Sequence, residues 1–101
     1  MADTVSAQEA YDAIIAYIKK QGGAARSWYA GIAADARDRL FSDHNISEDS
    51  GWWILQHCKS STDARAVEKA LLDYGCDGGE GGGDKTTTQA YAYLKTHTTD
   101  P

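Results

Sequence analysis

Apolar residues recur at helical spacing in some stretches of the chain and alternate with polar or small ones in others. Tyr11, Ile14, Ile15 and Ile18 fall on one helical face, and Ser6 with Glu9 forms a capping-box signature. A helix is therefore predicted over residues 6–21, ended at Gln21-Gly22-Gly23. Residues 26–33 alternate instead: Trp28, Ala30 and Ile32 on one face, Ser27, Tyr29 and Gly31 on the other. Asp35 is placed to cap a short helix running to about Asp43, with Ala36 and Leu40 as its apolar seam and His44-Asn45 closing it. A polar loop over 45–51 leads to the strongest strand signal, Trp52 to Cys58. Ser60 to Tyr74 is the clearest helix, with Ser60 or Ser61 as its cap and Gly75 at its C-terminal stop. A Gly-rich loop over 75–88 precedes a last alternating strand, 89–95.

The order helix, strand, helix, strand, helix, loop, strand predicts an α+β fold: a small antiparallel or mixed sheet of about three strands packed with helices. The 101 residues read as a single domain, 1–101. Within it, 1–25 is an N-terminal helical extension, 26–74 the core, 75–88 the loop and 89–95 the C-terminal strand.

Composition narrows the function classes. A net charge of −5 and a pI of about 4.9 argue against a nucleic-acid coat or a polybasic membrane anchor, since both need clustered positive charge. No apolar run approaches the roughly 20 residues of a membrane span. The N-terminus has neither the basic nor the apolar region of a signal peptide. Cys58 and Cys76 form no CxxC and read as reduced thiols, so a cytoplasmic location is expected.

The helix over 60–74 holds the most informative residue. At about 100° per residue, Ala64, Val67, Ala70, Leu71 and Tyr74 share one face. Glu68 lies on the rim of that face, while Arg65, Lys69 and Asp73 cluster on the far side. A carboxylate turned towards the body of a domain must be paired or bind a cation. Glu68 is thus either one half of a structural salt bridge or a metal ligand or acid/base group.

These residues stand in an order that resembles the GIY-YIG nuclease domain. The segments are Trp28-Tyr29-Ala30-Gly31-Ile32, Asp35-Ala36-Arg37-Asp38-Arg39-Leu40, His44-Asn45 and Ala66-Val67-Glu68-Lys69. In that family a strand ends in Tyr-Ile-Gly, read here as Tyr-Ala-Gly. A helix eight residues beyond that glycine carries an essential arginine, and Gly31 to Arg39 is eight residues. A later helix carries a metal-binding glutamate, which Glu68 matches. The resemblance covers roughly residues 27–74. It implies a metal-dependent endonuclease that hydrolyses DNA phosphodiester bonds with Mg²⁺ or Mn²⁺. Glu68 would be the metal ligand, and Tyr29, Arg39 and His44 catalytic residues. The family's first strand, bearing Gly-Ile-Tyr, would fall about ten residues before Tyr29, where this chain has helical spacing. The segment at 89–95 is expected to pair beside residues 27–33 and fill the vacated edge, so that Tyr91 or Tyr93, on one face, supplies the second tyrosine.

Other motifs carry less. The stretch from Gly75 to Thr86 ends in Asp-Lys-Thr and bears Asp77, Glu80 and Asp84, which does not suit a phosphate-binding loop; a flexible connector is expected. His57 and Cys58 face opposite sides of a strand and make a poor zinc pair. Trp52 and Trp53 likewise point opposite ways, one towards the core. The competing function is a non-catalytic protein-interaction module on the same fold, in keeping with the acidic charge, which disfavours a nucleic-acid partner. A homodimer using Trp53, Tyr91 and Tyr93 is a third possibility. No membrane partner is expected.

Overall fold

Ser6 starts the first helix in the way its spacing predicts. Its hydroxyl accepts from the Glu9 N–H at 3.1 Å, and the Glu9 carboxylate accepts from the Ser6 N–H at 3.0 Å. The computed structural model describes residues 4–21, 24–47, 51–79, 85–96 and 99. In it, α1 spans Ala7–Lys20, and a single 3₁₀ turn leads into strand β1, Trp28–Ala33. The expected strand over 26–33 therefore begins at Trp28. Asp35 caps α2, Ala36–Asp38, by accepting from the Asp38 N–H. The next residues, Arg39–Asp43, widen into a π turn instead of continuing as an α-helix. Strand β2 is Trp53–His57, α3 is Ser61–Tyr74 and β3 is Gln89–Leu94. The N-terminus of α3 is capped by the Ser60 hydroxyl, and its end by Gly75, whose φ of 125° needs a residue without Cβ.

The sheet is antiparallel, in the order β1-β3-β2. β3 pairs beside β1 as expected, yet it occupies the middle of the sheet and not its edge. The strand nearest the C-terminus is thus the one to which both others are bonded. The rim of β1 is covered by the chain after α3. The Ala30 N–H donates to the Asp77 carbonyl and the Asp77 N–H to the Trp28 carbonyl, each at 2.8 Å. Gly78 packs there so tightly that a Cβ would lie 2.6 Å from the Ala30 carbonyl oxygen. At its start, the loop read as a flexible connector is therefore bonded to the sheet. Asp77 pairs with Lys95 at 3.1 Å, and Glu80 and Asp84 lie outside the described residues.

The two faces of the sheet bury two different cores. On one, Trp28, Ala30, Ile32, Ala90 and Ala92 meet Ile14 and Ile18 of α1 and Val67 and Leu71 of α3. The N-terminal helix, expected as an extension, is part of this core. Tyr74, expected on the buried face of α3, is 40% exposed, while Glu68 is buried. On the other face, Tyr91 and Tyr93 pack with Ala33, Ala36, Leu40 and Ile46, and with the half-buried Tyr29, Phe41, Trp53 and Leu55. Trp53 is thus the inward member of the tryptophan pair, and Trp52 is 46% exposed. Among the described residues no helix is long and apolar enough to cross a membrane.

Candidate active site

Strand alternation puts Tyr91 and Tyr93 on one face of the central strand, and the register decides what they meet. Tyr93 stands opposite Tyr29 on β1 and Trp53 on β2, and Tyr91 opposite Gly31 and Leu55. Tyr29 and Tyr93 stack with ring centroids 5.3 Å apart. Gly31 gives Tyr91 the space it occupies. A Cβ on Gly31 would lie 2.5 Å from the Tyr91 Oη and 2.7 Å from Cζ. The glycine of the Tyr-Ala-Gly motif is therefore the seat of the tyrosine on the neighbouring strand.

The π turn delivers the polar groups. The His44 N–H donates to the Arg39 carbonyl at 3.0 Å, five residues back, and this wide turn carries the His44 side chain over the tyrosines. His44 is 6% exposed. Its Nε2 lies 2.8 Å from Tyr91 Oη and its Nδ1 3.1 Å from Tyr93 Oη. Tyr29 leans on the same ring at 5.0 Å between centroids. Arg39 lies near enough to Tyr91 for its positive charge to favour the ionised phenol. Its Nε is 3.0 Å from the Asp43 carboxylate, and about half of its side chain stays exposed, so the guanidinium can also face a ligand. Asp43 went unread as a site residue in the sequence, although its spacing to Arg39 of one helical turn is the usual sign of such a pair. Beside the site, Arg37 lies over the rings of Phe41 and Trp53, 5.2 and 5.4 Å from their centroids.

Glu68 comes from α3 and is 3% exposed. Its charge is felt at Tyr91. Burial chiefly raises the Tyr91 phenol above its ordinary range; Tyr29 and Glu68 raise it further, and Arg39 partly offsets them. Tyr91 accordingly keeps its proton at neutral pH. The structure thus brings Tyr29, Arg39, His44, Tyr91 and Tyr93 into one contiguous cluster, with Glu68 within electrostatic reach of its centre.

Among the described residues, no three His, Cys, Asp or Glu side chains converge on a common point. These residues do not build a closed cage of the kind zinc takes. Glu68 brings hard carboxylate oxygens to a buried position. That donor set fits Mg²⁺ or Mn²⁺, which are held by one or two carboxylates and keep several waters. Cys58 and Cys76 are buried free thiols away from this cluster, within the core between the sheet and α1 and α3. Comparison of the chain with family models, curated proteins and solved structures gave no match.

Proposed function

We propose that this protein is a metal-dependent phosphodiesterase of GIY-YIG type that cleaves DNA in the reducing cytoplasm. The observation that carries the reading is the cluster formed by residues of three separate elements, Tyr29 on β1, Arg39 and His44 in and just after the π turn, and Tyr91 on β3, with Glu68 of α3 within electrostatic reach. The resemblance in the sequence named three catalytic residues and a metal ligand. It required a second tyrosine, and the packing of β3 against β1 supports that role for Tyr91.

Glu68 would hold one Mg²⁺ or Mn²⁺, which supplies positive charge to the scissile phosphate and the leaving oxygen when bound. The half-exposed Arg39 fork binds two phosphate oxygens of the substrate. Its ion pair with Asp43 restricts the guanidinium before substrate arrives, which lowers the entropy cost of that contact. Tyr29, at the half-buried rim of the cluster, orients the attacking water. Its proton is taken up within the Tyr91–His44 pair.

Supercoiled plasmid DNA with Mn²⁺ or Mg²⁺ tests the proposal. Nicking that requires the metal and falls by about 10²–10³-fold in Glu68→Gln and Arg39→Ala, with both variants folded by circular dichroism, is the expected result. The net charge of −5 favours the second reading, a protein-interaction module on the same fold. Absence of metal-dependent cleavage on single-stranded, duplex and branched DNA would favour that reading over the first.

A further inference from the structure

His44 sits between two phenols, and a neutral imidazole has one N–H and one bare nitrogen to divide between them. The Tyr91 hydroxyl decides which is which. It is buried, with Tyr91 2% exposed. Among the described residues its hydrogen-bond partner is His44 Nε2, and the Arg39 guanidinium lies near. A guanidinium only donates, so Arg39 cannot take the Tyr91 proton. A buried hydroxyl proton without an acceptor costs about 1–3 kcal/mol. The Tyr91 proton therefore goes to His44 Nε2. The imidazole hydrogen is then on Nδ1, where it points to Tyr93 Oη.

We infer that Tyr93 is a positioning residue: by accepting the Nδ1–H of His44, it holds the imidazole in the tautomer whose bare Nε2 receives the Tyr91 proton. This rests on the proposed nuclease reading for its chemical use and on the hydrogen-bond geometry for its existence. A water that gives its proton to Tyr91 Oη displaces the proton Tyr91 already carries onto His44 Nε2. The imidazole becomes imidazolium with its Nδ1–H still on Tyr93, and neither phenol ionises. That route suits a buried Tyr91 flanked by the Glu68 charge, where a phenolate is disfavoured. Among the groups around the imidazole are Tyr29 from β1 and Tyr91 and Tyr93 from β3, with Arg39 and Asp43 preceding it on its own turn.

The tautomer is readable without any activity. The chain has three histidines, so ¹⁵N-histidine labelling with long-range ¹H–¹⁵N correlation gives three patterns, and His44→Gln identifies the one that vanishes. At a pH where the ring is neutral, His44 is expected as the Nδ1–H form. An Nε2–H pattern in the unaltered protein overturns the inference. In Tyr93→Phe, which keeps the buried ring, the pattern should move towards Nε2–H; an unchanged pattern in a folded variant overturns the role of Tyr93. On plasmid DNA the same variant should lose about 10²-fold in kcat with KM kept, the low end of what a placed base supplies. Failure of all cleavage refutes the nuclease reading alone, since the wild-type spectrum still decides the tautomer.

Discussion

Placing an alanine at Gly31 tests whether the Tyr91 ring is seated as described. The added Cβ would lie 2.5 Å from Tyr91 Oη, 2.7 Å from Cζ and 3.1 Å from Cε2. The ring cannot swing into water to make room, because it is 2% exposed and tied to His44. Overpacking of this kind costs about 1–3 kcal/mol. Loss of the tyrosine's hydrogen bonding adds about 1 kcal/mol. Gly31→Ala should therefore destabilise by about 2–4 kcal/mol, a fall in Tm on the order of 10–20 °C for a domain of this size. The clash depends on the outer half of the ring, which Tyr91→Leu removes. In that background alanine meets no Cζ or hydroxyl, and it restricts the unfolded chain more than glycine does. There Gly31→Ala should be neutral, or stabilising by a few tenths of a kcal/mol. Urea denaturation of the four proteins gives the coupling, expected at about 2–4 kcal/mol. The reasoning is refuted if Gly31→Ala costs the same in both backgrounds, or under about 1 kcal/mol in the first.

Two further outcomes follow from other parts of the molecule. Burial pushes the Cys76 thiol from 9.0 up to about 11, partly offset by Lys95. Below pH 9 both states keep the proton; as pH climbs, the unfolded chain loses it first, so stability should fall between about pH 9 and pH 11. The urea midpoint of Cys76→Ala should fall less steeply over that window, and parallel curves would count against the shift. Ser6→Ala removes the side chain that caps α1 and should cost about 1 kcal/mol, with the exposed Gln8→Ala as a near-neutral control in the same thermal scan.

Local signals in the sequence were enough for most elements. The Ser6–Glu9 box, the Ser60 cap and the Gly75 stop each act within one turn of their own element, and each reads off neighbouring residues. The period of α3 placed Glu68 only on a rim, because burial of a rim position depends on what packs beside it. The alternation of residues 89–95 gave a strand and the shared face of Tyr91 and Tyr93. It did not give that strand's place in the middle of the sheet, since pairing order is decided by residues about 60 positions away. The π turn at Arg39–Asp43 was unreadable for a different reason. Its spacing of apolar positions is that of an α-helix, and the widening follows from seating His44 between two phenols of another strand.

The central place of β3 bears on how the molecule comes into being. β1 and β2 are not neighbours in the sheet; the strand with which each pairs follows both in the chain. On a growing chain, then, neither ladder of the sheet can form until β3 is added, and the earlier strands wait for their pairing partner. Closing such distant pairs is slow, and uncovered strands are exposed to wrong partners meanwhile. The same arrangement keeps the tyrosine–histidine–arginine cluster from existing in a chain that has not reached β3. Whatever chemistry the cluster performs is switched on by the completion of folding itself.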